Sequence, residues 1–172
     1  MKKIFTIVGL LLSANSFAQG WTYQAGLGSH LWNISETKGV GLSMNVGTTY
    51  DFNTYVGIRL DANLDFVGEE RIKRAGLQAN FHLMPLFNNS SAKYGLDFHL
   101  GIGGVNNSNA AYTDSYLLRG DDAWNRTFGL TPTYQLNEKL QLTLDLTLNH
   151  NKLTDTHLKN YANAIIGIRS AF

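Results

Sequence analysis

An all-β fold, an antiparallel up-and-down barrel of eight strands that crosses a membrane, follows from three features of the chain: apolar residues that alternate with polar ones almost throughout, a polar face rich in glycine and buried-type charge pairs, and an export leader at the N-terminus. The alternation is plainest where Leu140, Leu142, Leu144, Leu146 and Leu148 are interleaved with Gln141, Thr143, Asp145, Thr147 and Asn149. It recurs where Val56, Ile58, Leu60, Ala62, Leu64 and Phe66 stand against Gly57, Arg59, Asp61, Asn63 and Asp65. Successive residues of a strand point to opposite faces, so each run is a ribbon with one apolar and one polar side. After the leader, no stretch carries an apolar stripe at helical spacing.

The leader has positive charge on Lys2 and Lys3, an apolar stretch from Ile4 to Leu12, and a small-residue close at Ser16-Phe17-Ala18. That layout is a secretory signal with cleavage after Ala18. Its apolar stretch is too short for a membrane-spanning helix, which needs about 20 residues. Residues 1–18 are therefore set aside, and 19–172 form one domain. Without Lys2 and Lys3 the formal charge falls from +1 to −1, so the domain offers no basic face for nucleic acid. The absence of cysteine excludes a disulfide framework and a lipid-modified N-terminal cysteine.

Eight segments of about ten residues, the length of a tilted membrane-crossing strand, are assigned along the mature chain. The first, 20–30, places Trp21 and Tyr23 on the apolar face and Gly26 and Gly28 on the polar one. The second, 40–51, closes on Tyr50 and carries Gly41 and Gly47 on its polar side. The third, 55–66, is the Arg59 and Asp61 ribbon described above. The fourth, 73–86, brings Arg74 and Gly76 inward, and the fifth, 93–104, sets Tyr94 outside against Gly95, Asp97 and Gly101. The sixth, 123–136, holds Trp124, Phe128 and Tyr134 opposite Gly129; the seventh, 139–150, is the leucine ribbon; the eighth, 161–172, carries Gly167 and Arg169. Short turns at Asp51-Phe52-Asn53-Thr54, 87–92 and Asn137-Glu138, with a modest loop at 67–72, contrast with longer polar loops at 31–39, 105–122 and 151–160. Membrane barrels show this asymmetry between periplasm and cell exterior.

A soluble barrel also alternates, so the direction of the two faces has to be argued separately. Aromatic residues gather near strand ends on the apolar face: Trp21, Tyr23, Tyr50, Tyr94, Tyr134 and Phe172 toward the turns, Phe66, Trp124 and Phe128 toward the loops. Two such belts match the headgroup levels of a bilayer. The glycines of the polar face fit a narrow eight-stranded interior, where small residues must sit opposite long ones such as Arg59. The apolar face therefore points to lipid and the polar face to the lumen. Inward charges are then Arg59, Arg74 and Arg169 against Asp61, Asp65, Asp97 and Asp145, and a charge at mid-strand is costly unless paired. An internal ion-pair network of Arg59, Asp61, Asp97, Asp145 and Arg169 is predicted, closing the barrel to free flow of solutes.

The chain ends in Gly167-Ile168-Arg169-Ser170-Ala171-Phe172, which resembles the C-terminal assembly signal of bacterial outer-membrane proteins in Gly167 and Phe172 and departs from it at Ser170. Tyr50-Asp51-Phe52-Asn53-Thr54-Tyr55-Val56-Gly57 and Thr133-Tyr134-Gln135-Leu136 resemble the transmembrane domain of outer membrane protein A and its small eight-stranded relatives. The resemblance implies a place in the cell outer membrane, contact with its lipid and lipopolysaccharide, and insertion by the barrel assembly machinery. Because the chain ends at Phe172, it also implies no peptidoglycan-binding domain. The role implied is structural or one of surface interaction; a narrow low-conductance channel and a lipid A-modifying enzyme are the alternatives. Catalysis would need a serine beside a histidine base. Among His30, His82, His99, His150 and His157, His99 lies two residues from Asp97 on one strand and so on the same face, but no serine stands obviously beside them, and Lys152 stands two residues after His150, where a deacylase motif has serine. No catalytic, cofactor or metal site is predicted. A partner would be met by the loops, above all by Asn106-Asn107-Ser108-Asn109, Tyr112, Tyr116, Leu117 and Leu118.

Overall fold

A computed structural model of the chain describes residues 20–34, 37–67, 70–83, 93–109, 124–152 and 160–171. They form eight antiparallel strands: β1 (Gly20–Ile34), β2 (Thr37–Asp51), β3 (Val56–Val67), β4 (Glu70–His82), β5 (Tyr94–Asn109), β6 (Trp124–Gln135), β7 (Leu140–Lys152) and β8 (Asn160–Ala171). Each pairs with the next, and β8 returns to β1, so the sheet closes with no free edge. Closure leaves every strand with two hydrogen-bonded neighbours, the condition for a sheet to stand in lipid.

The register fixes the slant of the strands. Pairing followed from Trp21 runs through Tyr50, Ile58, Ala79, Leu100, Phe128, Leu148 and Ala162 and returns to β1 at Leu31, ten residues farther on. A stagger of that size tilts the strands by roughly 35–45° to the barrel axis. The predicted strand cores lie in place, but several ends move. β1 and β2 continue to the pair Ile34↔Thr37, so most of the expected loop 31–39 is strand. β4 begins at Glu70 and ends at His82 instead of spanning 73–86, so residues 67 and 70–72 of the expected loop 67–72 are strand, joined by the pair Val67↔Glu70. β5 reaches Asn109 and β7 reaches Lys152, which takes the first residues of the expected loops 105–122 and 151–160 into the sheet. The physical reason is common to all: apolar alternation ends where lipid ends, whereas backbone pairing continues into water as long as both strands last.

Two of the turns at the other end share one design. Phe52 and Asn53 donate backbone N–H groups to Val56 O, and Leu136 and Asn137 do the same to Leu140 O. In each, the asparagine side-chain oxygen accepts from the backbone N–H groups two and three residues on: Tyr55 and Val56 at 2.8 and 2.9 Å, Lys139 and Leu140 at 2.9 and 3.0 Å. The asparagine thereby stands in for the missing ladder partner.

The outer surface is apolar. Val40 and Ile102 are 67% exposed and Leu148 59%, whereas Arg59 and Asp145 are 2% exposed. A soluble protein would invert this arrangement, since contiguous apolar surface of such extent is unstable against water. The leucine face meets lipid, and the charged face fills the barrel.

Candidate functional site: the lumen

Inward positions of all eight strands converge on a packed polar interior, in which three arginines each meet one aspartate at a different height. Near the loop end, Arg74 of β4 donates through Nε and Nη2 to Asp65 Oδ2 at 3.2 and 3.0 Å and through Nη1 to Asn149 Oδ1 at 2.5 Å. Asp65 is fully buried and also accepts from Ser43 and from Asn163 Nδ2, the latter at 2.9 Å. His30 lies 3.5 Å from the same carboxylate and packs on the Tyr161 ring, which also lies under the Arg74 guanidinium. A carboxylate held by so many donors is matched to its burial.

At mid-height, Arg59 Nη2 donates to Asp145 Oδ2 at 2.6 Å, and Thr147 donates to the other oxygen of Asp145. Asp61 sits beside this pair but receives its hydrogen bonds from Gln78 Nε2 and Asn63 Nδ2, both at 2.8 Å. The predicted single network of Arg59, Asp61, Asp97, Asp145 and Arg169 thus divides: Arg59 pairs with Asp145, Arg169 with Asp97, and Asp61 with amides rather than an arginine. The division follows from height along the barrel, which the alternation of residues cannot encode.

Toward the turn end, Arg169 Nη1 donates to Asp97 Oδ2 at 2.6 Å. His82 bridges two carboxylates there, with Nδ1 at 2.7 Å from Asp97 and Nε2 at 2.9 Å from Asp51. Sequence reasoning missed His82 as a lumen residue; its parity with Arg74 and Gly76 on the same strand was the signal that would have found it.

Glycine makes room for these side chains. A Cβ at Gly129 would stand 2.3 Å from His99 Nε2 and 2.7 Å from Leu146 O, so the imidazole occupies the space that any other residue would fill. The cavity between Arg59, Asp61, Arg74 and Asp145 is about 10 Å³, at the threshold of about 10–15 Å³ that one water needs.

His99 lies between a hydroxyl and a carboxylate, with Thr131 Oγ1 3.4 Å from Nδ1 and Asp145 Oδ1 3.6 Å from Nε2. The order resembles a nucleophile, base and orienting acid, but both spacings exceed hydrogen-bond reach for proton transfer and Thr131 is fully buried among lumen side chains. His150, near the loop end of β7 as expected, lies on its outer face within 2.7 Å of Asn160 Oδ1.

The aromatic residues form clusters on the outer face. Trp21 packs on Tyr50 at 5.0 Å and Tyr94 on Tyr134 at 5.2 Å near the turns, with Tyr23 exposed beside them. Phe128 contacts Phe98 at 5.1 Å, Phe66 pairs in register with Leu42 and Arg71, and the Arg126 guanidinium lies 4.4 Å over the Trp124 ring. The leader, Phe172, loop residues 110–123 and His157 lie outside the described residues. Among the described residues, no cluster of three potential metal ligands occurs.

The fold is that of small bacterial outer-membrane barrels, and the apolar girdle sets it in that membrane. Similar solved structures include Neisserial surface protein A, at 14% identity and TM-score 0.68 over 89% of this chain and 97% of that one. The N-terminal barrel of Pseudomonas aeruginosa OprF matches at 14% identity and TM-score 0.62 over 90% and 98% of the two chains. Ail of Yersinia pestis, in complex with the heparin analogue sucrose octasulfate, matches at 14% identity and TM-score 0.53 over 90% and 100%. The outer membrane enzyme PagL has the same fold, at 9% identity and TM-score 0.52 over 86% and 97%. No family model and no curated protein matches the chain.

Proposed function

We propose that this barrel has a structural and surface-interaction role in the outer membrane, contributing to envelope integrity and presenting its loops to the exterior around a closed lumen. The observation that supports the reading most is the filled interior: three arginine–aspartate pairs stacked at successive heights, with His99 beside the middle pair and His82 joining the lowest to Asp51. Side chains packed in this way argue against a through-path for solutes, and wide pores need about sixteen strands. A closed barrel acts through its outside surface and its ends. The strand ends that lead from β1 into β2, β5 into β6 and β7 into β8 all lie at one end of the barrel, the end at which a partner would be met.

The test pairs two measurements on the full chain. Planar bilayers containing the refolded protein are expected to show no steady channel steps. A strain deleted for the gene is expected to become sensitive to detergent and to recover when the gene is restored. Discrete, reproducible open steps would replace this reading with that of a narrow channel.

A further inference from the structure

A furrow of about 510 Å³ opens on the lipid-facing surface near the loop end, across β6, β7, β8 and β1. Its cause is legible in the outward residues of β8. Ala162 stands in register between Leu148 of β7 and Leu31 of β1, and Ala164, the next outward residue, stands beside Leu146. The short side chain of Ala162 between two leucines leaves the furrow open there.

The row above differs in chemistry. Phe128, Leu148, Ala162 and Leu31 make an apolar row, while Arg126, His150 and Asn160 make the row two residues nearer the loops, about 6–7 Å higher. Arg126 projects outward over Trp124, and among the described residues no carboxylate pairs with it. His150 donates Nδ1–H to Asn160 Oδ1 at 2.7 Å, which leaves the Asn160 Nδ2 group to donate elsewhere. A cation, an imidazole nitrogen and an amide thus border an apolar furrow at the level where hydrocarbon gives way to headgroups. Arginine held on an aromatic face, at the junction of oil and water, suits a phosphate joined to acyl chains.

The geometry points to a seat for one phosphorylated glycolipid of the outer leaflet, the lipid A class, with an acyl chain lying over Ala162 and a phosphate held by Arg126 and the side-chain amide of Asn160. The loop end faces the cell exterior in barrels of this kind, so the furrow opens to the outer leaflet. The inference rests on the orientation of the barrel in the membrane and not on its proposed surface role.

Native mass spectrometry of the full chain, delipidated in detergent and titrated with purified bisphosphorylated lipid A, tests the seat. Wild-type protein is expected to retain one lipid A and to hold the dephosphorylated form about tenfold more weakly, the loss expected for one charge-assisted contact. Arg126→Ala and the furrow-filling Ala162→Trp are each expected to weaken retention to a similar degree, Arg126→Lys to recover part of it, and Leu77→Ala on β4, across the barrel, to leave it unchanged. Each variant is first checked for the gel mobility of the folded barrel. Equal retention of phosphorylated and dephosphorylated lipid, or retention unaffected by both Arg126→Ala and Ala162→Trp, would overturn the proposal. Conductance and detergent sensitivity are separate readouts, so failure here is distinguishable from failure of the surface role.

Discussion

Arg59 and Asp145 come from strands far apart in sequence, 86 residues, and meet inside the barrel at 2.6 Å with both side chains 2% exposed. A buried pair contributes little net stability against apolar replacements, but removal of one partner strands the other, at a cost of about 3–5 kcal/mol. Arg59→Ala is therefore expected to lower the temperature at which the barrel loses its compact gel mobility, and Arg59→Leu combined with Asp145→Leu to recover much of the loss. An unshifted transition in the single variant would show that the two charges do not depend on each other. Much at this scale was legible in advance, because parity along a strand assigns each residue to lumen or lipid: Arg59, Arg74, Arg169, Asp65, Asp97 and Asp145 are all inside. The partners were less so. Height in the barrel depends on the stagger between strands, and only the register separates the Arg169–Asp97 pair from the Arg59–Asp145 pair and leaves Asp61 to Gln78 and Asn63.

Strand ends were the least legible elements. Arg71 and Lys73 break the apolar alternation of β4, yet both are paired with β5, because the ladder extends beyond the hydrocarbon. Apolar alternation reports the membrane rather than the sheet, so it recovered the lipid-facing half of β1, β5 and β7 and lost the parts in water. The same distinction yields a prediction for β7. Arginine in place of Leu144, in the middle of the strand, is expected to cost about 2–4 kcal/mol, and in place of Leu148, near the loop end, about 0–1 kcal/mol. Urea titration of the barrel folded in vesicles measures both. Equal costs at the two positions would mean that β7 does not cross the bilayer along its length.

For the whole molecule, the decisive property is which side of the closed sheet meets lipid. Composition alone did not decide it, since a soluble barrel could carry the same alternation turned inside out; glycine on the polar face and rings near the strand ends did. The structure has Leu27, Leu60, Leu77 and Ile166 at 49–62% exposure around the girdle, with the charges enclosed. The chain has no cysteine, so a single spin label can be placed at any position through one introduced Cys. Collision of such labels with dissolved oxygen, scanned from Gln141 to Leu148 in the bilayer-embedded protein, tests the arrangement directly. High collision rates at positions 142, 144, 146 and 148, with low rates at 141, 143 and 147, are expected. The opposite phase, with the leucine positions shielded and the polar positions in contact with lipid, would contradict it.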